Sequence, residues 1–310
     1  MDTTMIHVGT RGSDLALWQA RRLVDLLAAH RPNVEFEVVE VSTHGDRDRR
    51  VPLHQAGGVG LFVKELEYAL LDGEIDLAVH SLKDMPSRTP PRLSLAAVPE
   101  RADPRDTLVS QDGLRLGELP PGSRVGTGSP RRRAQILALR PDLDVVGIRG
   151  NVDTRLAKVK EAAYDAVVLA AAGLDRLGRH DAITEILAPE TMLPAAGQGA
   201  LAVELRADDE ATHALVAPVN HPPSWGAVGA ERAFMARLGA GCHVPAAAYA
   251  VVDQGDLWLR ALVADLDGKR MIRGERRGSI DEAASLGRSV AEELLDRGAG
   301  ELLREAESRI

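Results

Sequence analysis

The stretch Val125-Gly126-Thr127-Gly128-Ser129-Pro130-Arg131-Arg132-Arg133 places two hydroxyls, a glycine-rich turn and three consecutive arginines within nine residues. A short apolar strand should end at Gly126, and proline suits the first position of a helix. The free N–H groups of a helix start, together with its dipole, attract an anion. Arginines placed there repel that dipole unless an anion is present, so the segment reads as an anion site. The alternative is a basic helix start facing solvent. No G-x-x-x-x-G-K-[ST] occurs, so the turn is not a nucleotide P-loop. Arg149 and Arg155 in Ile148-Arg149-Gly150-Asn151-Val152-Asp153-Thr154-Arg155, and Arg11 in Gly9-Thr10-Arg11-Gly12-Ser13, also follow expected strand ends. A lone arginine is usually a surface ion pair. Several at strand ends suggest a ligand with several carboxylates or phosphates, which the guanidinium fork suits better than an ammonium.

Val79-His80-Ser81-Leu82-Lys83-Asp84-Met85-Pro86 sets Lys83 and Asp84 side by side at a strand end. A carboxylate there could stabilise a cationic intermediate or move a proton. The plainer reading is a helix-start carboxylate beside a solvated lysine. Cys242 stands in the small-residue loop Leu238-Gly239-Ala240-Gly241-Cys242-His243-Val244-Pro245. An accessible thiolate is a nucleophile, and a lone cysteine can equally be a small buried hydrophobe. His243 is a poor base for it, because neighbouring side chains in an extended segment point apart. His44 and His54 have no metal-ligand spacing and read as solvated loop residues; no metal is expected.

These residues need elements to position them. Strands are expected at Met5–Gly9, Val34–Val41, Ile75–Val79 and Leu93–Val98, with helices from Ser13 as N-cap and over Leu61–Leu71. Leu15, Leu17, Trp18, Leu23, Leu26 and Leu27 should form the apolar face of the first helix. Thr43–Gly60 is charged and glycine-rich and reads as a mobile loop. Pro99–Pro104 is a polar break. The rhythm then restarts with strands at Thr107–Ser110, Arg124–Gly126, Leu143–Ile148 and Ala166–Ala170, and helices at Arg131–Leu139 and Val152–Lys160. After a second break at Pro194–Gly199, Ala200–Leu205 is one more strand, and His221-Pro222-Pro223 is a third break. Helix Trp225–Leu238, a meander of Val244–Ala250, Leu257–Val263 and Met271–Gly274, and a closing helix Asp281–Asp296 complete the chain. The pattern implies two α/β domains with parallel sheets plus a smaller α+β domain. Ligands of such pairs usually lie in the cleft near strand ends.

Composition narrows the class. The 310 residues carry Lys+Arg 38 against Asp+Glu 46, a net charge of -8, 45% hydrophobic and 3% aromatic residues. Only five of the cations are lysine, which leaves 33 arginines. Net negative charge and scarce aromatics argue against nucleic-acid binding. No apolar run approaches the ~18 residues of a membrane span, and no signal-peptide pattern is present. One cysteine excludes an internal disulfide framework and fits a reducing compartment. A cytoplasmic protein is expected.

Taken with Gly60-Leu61-Phe62-Val63-Lys64-Glu65-Leu66 and Ala195-Ala196-Gly197-Gln198-Gly199-Ala200, these segments resemble, in order and over nearly the whole chain, the porphobilinogen deaminase family. The resemblance implies an enzyme, a transferase of tetrapyrrole biosynthesis. Four porphobilinogen molecules are deaminated and joined head to tail, and water releases linear hydroxymethylbilane. It implies a dipyrromethane cofactor, made from substrate and held as a thioether on Cys242. It implies carboxylate binding by Arg11, Arg131, Arg132, Arg149, Arg155 and Arg176, since each pyrrole ring brings an acetate and a propionate. Ser13, Ser81, Lys83, Thr127, Ser129 and Gln198 would complete those contacts. Asp84 would stabilise the azafulvene cation left when ammonia departs. The implied fold is two periplasmic-binding-protein-like α/β domains with a cleft between them, plus a smaller α+β C-terminal domain. Domain one would span 1–99 and 200–217, domain two 105–193 and domain three 222–310, with Pro194–Gly199 as a hinge. The family suggests a monomer. One departure concerns the loop before Gly60, which often carries lysines in bacterial members, where this chain has Gln55 and Val59.

Two other functions fit parts of the pattern. A bilobal anion-binding protein would use the same arginines, but needs neither the cysteine loop nor an intracellular setting. A cysteine hydrolase would need a base that the sequence does not offer.

Overall fold

Hydrophobic periodicity and turn residues build the elements of a computed structural model that describes residues 4–41, 63–239, 241 and 244–309. Cys242, His243, Gln55, Val59, His44, His54 and the start of the Gly60–Leu66 motif lie outside the described residues. The chain divides into two compact units, Met1–Arg101 with Ala200–Gly226, and Ala102–Gly199 with Ala227–Ile310.

The first unit is built on a five-stranded sheet in the order 34–40, 4–10, 77–81, 201–206, 93–97. Strands 34–40 and 77–81 run parallel to 4–10. Strand Leu201–Arg206 runs antiparallel to both its neighbours, so the sheet is mixed where a parallel one is expected. The reason is connectivity. This strand returns from a distant part of the chain, so no crossover helix dictates its direction. Helix Asp14–His30 covers one face, capped by Ser13, whose side chain accepts from the Ala16 N–H. Its buried stripe is Gln19, Ala20, Leu23 and Leu27, whereas Trp18, expected on the apolar face, is exposed. The second helix is Lys64–Leu71.

The second unit holds two sheets. Five strands lie in the order 144–146, 124–126, 166–170, 106–110, 185–187, again mixed, because 106–110 is antiparallel to 166–170. Helix Pro130–Leu139 begins with Ser129 as N-cap and Pro130 in its first turn. Helix Val152–Lys160 is capped by Asn151, whose side chain accepts from the Thr154 N–H. The three-stranded sheet 246–253, 256–264, 271–278 is the antiparallel meander expected. Its apolar face packs against helices Ala283–Asp296 and Ala299–Ser308, with Val290, Leu294, Leu302 and Leu303 in the core.

Three further expectations change. Pro222 and Pro223 open the helix Pro222–Leu238 instead of breaking the chain, since a first-turn proline lacks only an N–H that the helix does not use. Ala283–Asp296 does not close the fold: Gly298, at φ 96°, turns the chain into the last helix. Strand 75–79 lies at Leu77–Ser81, which carries Ser81 into the sheet's end.

Gly268 sits at φ 69° in the turn after strand 256–264. A Cβ there would meet the Ala134 carbonyl and come within 2.7 Å of the Ala138 nitrogen, both in helix Pro130–Leu139. Gly268→Ala is expected to cost about 2 kcal/mol or more, from backbone strain plus displacement of that helix. A thermal midpoint within one degree of the parent would refute this.

Candidate functional site

Two groups of side chains, one in each unit, gather many of the residues expected to act. In the first unit, strands 4–10 and 77–81 end side by side. Arg11 and Ser13 follow one, and the short 3-10 turn Leu82–Asp84 follows the other. The turn is closed by the Met85 N–H on the Leu82 carbonyl at 3.1 Å. A cavity of about 70 Å³ lies at these ends, lined by Arg11, Ser13, Gln19, His80, Ser81 and Asp84 among others. Lys83 precedes Asp84 on the same turn and is half-buried.

Gln19 has a place in this wall that the sequence reading missed. It is buried, and its Nε2 donates to Ser81 Oγ at 2.8 Å. The signal was available: Gln19, Leu23 and Leu27 recur every four residues, so a polar side chain stands on the buried stripe. A second missed pair backs the cavity. His80 Nε2 lies 3.0 Å from Glu204 Oε2, with both side chains almost wholly buried.

In the second unit, Thr127 and Ser129 prepare the helix start. Thr127 Oγ1 accepts from the Ser129 N–H at 3.2 Å, and Ser129 Oγ accepts from the Arg132 N–H at 3.4 Å. The arginine run has an anion within the chain. Asp106, buried completely, accepts from Arg131 Nη1 at 2.7 Å on Oδ2. Its Oδ1 takes Arg132 Nε and Nη2 at 3.0 and 2.7 Å. Gln198 joins the same group, its Nε2 donating to Asp106 Oδ1 at 2.8 Å and to the Pro104 carbonyl at 2.7 Å. Arg133 leaves the cluster, its guanidinium bonded to the Val145 carbonyl.

Burial alone would push the Asp106 carboxyl up. The charges of Arg131 and Arg132, with hydrogen bonds from Arg131 and Gln198, outweigh it and hold the group well below the usual carboxylate range. Its folded value is depressed, so its stabilising contribution is present at neutral pH and is lost only as strong acid protonates it. Burial pushes the Arg131 guanidinium down, partly opposed by Asp106 and reinforced by Arg132. Burial brings Arg176 down to about 10, still protonated at neutral pH, and its Nη2 donates to the Gly199 carbonyl at 2.7 Å.

Arg149 and Arg155 are held apart from that cluster, around the turn after strand 144–146. Arg155 Nε donates to the Gly150 carbonyl at 2.8 Å, and the Arg149 carbonyl accepts from Lys158 Nζ at 3.1 Å. Gly150 has φ 115°, a conformation that favours glycine. Arg149 is exposed and Arg155 half-buried. Cys242 lies outside the described residues. Among the described residues no group of three or more His, Cys, Asp or Glu could hold a metal ion, and no helix is long and apolar enough to cross a membrane.

Comparison with known proteins supplies the remaining finding. A family model described as "Porphobilinogen deaminase, dipyromethane cofactor binding domain" matches residues 6–214, and one described as "Porphobilinogen deaminase, C-terminal domain" matches residues 225–296. A curated porphobilinogen deaminase from Roseiflexus castenholzii is 51% identical over 298 residues, covering 96% of this chain and 98% of that protein. Another, from Roseiflexus sp. strain RS-1, is 51% identical over 303 residues, covering 98% of this chain and 99% of that protein. Among solved structures, a probable amino-acid ABC transporter extracellular-binding protein from Bacillus subtilis aligns with TM-score 0.43 at 14% identity, over 70% of this chain and 90% of that one.

Proposed function

The chain belongs to the porphobilinogen deaminase family, and from that premise we propose how its own residues carry the reaction. It deaminates porphobilinogen, joins four such units head to tail on a dipyrromethane cofactor, and releases hydroxymethylbilane with water. The family expectation drawn from the motifs is therefore borne out.

The residues present fit an acidic cofactor. Two buried guanidiniums share the single carboxylate of Asp106, and Arg131 Nε is buried with no partner among the described residues. When bound, the dipyrromethane supplies the free α-carbon at which the first substrate ring is joined. We assign its attachment to Cys242, the chain's one thiol. Thr127, Ser129, Arg131, Arg132 and Gln198 would hold its carboxylates from one helix start and the adjoining segment. Arg149, Arg155 and Arg176 would take carboxylates of the growing chain. Guanidinium forks suit this because each added ring brings two more carboxylates.

The cavity of the first unit would receive the reacting ring. Arg11 and Ser13 would bind a substrate carboxylate there, with Ser81 and Gln19 completing the wall and Lys83 contributing from the turn that carries Asp84. Asp84 would face the pyrrole and stabilise positive charge as it develops with the departure of ammonia. It could also carry a proton to the leaving amine. The observation that supports this most is that one cavity collects Arg11, Ser13, Ser81 and Asp84 from separate segments of the chain.

The domain division 1–99 with 200–217, 105–193 and 222–310, a monomeric state and a cytoplasmic location belong to the same proposal. A single cysteine suits a reducing compartment, and sedimentation of the purified protein reads the oligomeric state.

Intact mass tests the assignment as a whole. Purified protein should exceed the mass of the bare chain by one dipyrromethane, and should colour with an aldehyde reagent for free pyrroles. A mass equal to the bare chain would remove the primer from the mechanism.

A further inference from the structure

Asp106 has no part in the chemistry assigned above, yet it is the most heavily bonded carboxylate of the second group. It opens strand Asp106–Ser110 and is wholly buried. Four hydrogen bonds reach its two oxygens, from Arg131, Arg132 and Gln198. All three donors are themselves buried. Its closest sequence neighbour among them is 25 residues away.

The two arginines are spent differently. Arg132 gives Nε and Nη2 to Asp106 and Nη1 to the Val168 carbonyl at 2.8 Å, so each of its three nitrogens is engaged. Arg131 gives Nη1 to Asp106 and to the Leu193 carbonyl at 2.6 Å, while its Nε has no partner among the described residues. Two guanidiniums against one carboxylate leave one positive charge enclosed. Such a charge is costly to bury until an anion meets it.

We propose that Asp106 is a positioning residue for the anion site. It neutralises Arg132, anchors Arg131, and so holds one unbalanced guanidinium ready for a carboxylate of the cofactor. This rests on the reading of Arg131 as a ligand of that carboxylate. Preorganisation of this kind removes the cost of ordering a long side chain when the ligand arrives. It also answers why Arg131 and Arg132 can stand at a helix N-terminus: the compensating anion is built into strand Asp106–Ser110.

The test compares protein made in cells unable to form porphobilinogen with the same protein loaded by added porphobilinogen, intact mass certifying each form. Asp106→Asn should lower the thermal midpoint of the unloaded form on the order of 10 °C, because a buried pair has lost one partner. The loaded form should lose less than half as much, since cofactor carboxylates supply an anion. The double variant Asp106→Asn/Arg132→Gln removes one charge of each sign and should recover most of the loss in the unloaded form. Equal losses in the two forms, or a double variant no more stable than the single one, overturn the proposal. Should Asp106→Asn be insoluble, soluble double variant supports it and insoluble double variant overturns it. Arg131→Gln separates the two layers. If it leaves the gap between loaded and unloaded midpoints at the parent value, the reading of Arg131 fails. If it narrows that gap while Asp106→Asn costs both forms equally, only the role of Asp106 fails.

Discussion

Cys242→Ser is expected to yield folded protein whose intact mass equals the bare chain and whose turnover falls on the order of 10³-fold or more. The cause is the loss of a nucleophile that a hydroxyl cannot replace. A thiol reaches its thiolate near neutral pH, whereas a serine hydroxyl needs an adjacent base. Adjacent His243 is the one base the sequence sets beside it. The chain has no second cysteine to accept the primer. A Cys242→Ser protein that still carries the adduct would move the attachment point elsewhere and undo that part of the proposal. Loss of the adduct with parent-level turnover would show that the primer need not be covalent.

Asp84→Asn should separate assembly from turnover. Asparagine keeps the size of the side chain and removes its charge, so the cavity shared with Arg11, Ser13, Gln19 and Ser81 should keep its shape. The variant should therefore retain the covalent adduct while kcat falls about 10²- to 10³-fold, the usual cost of removing one preorganised charge from a transition state. A nearly unchanged KM would accompany this, because the charge acts on the cation that develops on the pyrrole as ammonia departs and not on substrate carboxylates. Turnover within a few-fold of the parent would remove Asp84 from its role and leave it a carboxylate of a surface turn.

The two results answer different questions. Cysteine loss reads the anchor, and aspartate loss reads the chemical step. A protein that fails both as expected behaves as the motifs and the cavity together suggest. One that loses the adduct on Asp84→Asn would show that primer assembly depends on the same carboxylate.

Much of the local structure is legible in the residues. Ser13 caps its helix as its position before an apolar run implies, and helix Val152–Lys160 has the expected ends. The C-terminal meander follows from its alternation and turns. Family membership follows from long motifs spread along the chain, which the matches over residues 6–214 and 225–296 bear out. Strand direction does not follow. Leu201–Arg206 and Asp106–Ser110 run against neighbours that a repeated strand–helix rhythm would make parallel. The last helix, Ala299–Ser308, lies beyond the closing helix the sequence suggests, because Gly298 at positive φ turns the chain between two helices.

By itself, the sequence determined which chemical groups the protein has: arginines at strand ends, one aspartate beside a lysine, one thiol, and the spacing that marks their family. Caps, turns and apolar periods are short-range effects, so they are written locally. Only the tertiary structure decided how buried charge is balanced. Arg131 and Arg132 meet an aspartate 25 and 26 residues away, Gln198 reaches it across 92, and His80 finds Glu204 across 124. Desolvation favours such partners, because a buried charge left wholly without one is costly to a marginally stable fold. Which partner satisfies it depends on strands that become neighbours only when the sheet closes, and no motif spacing carries that information.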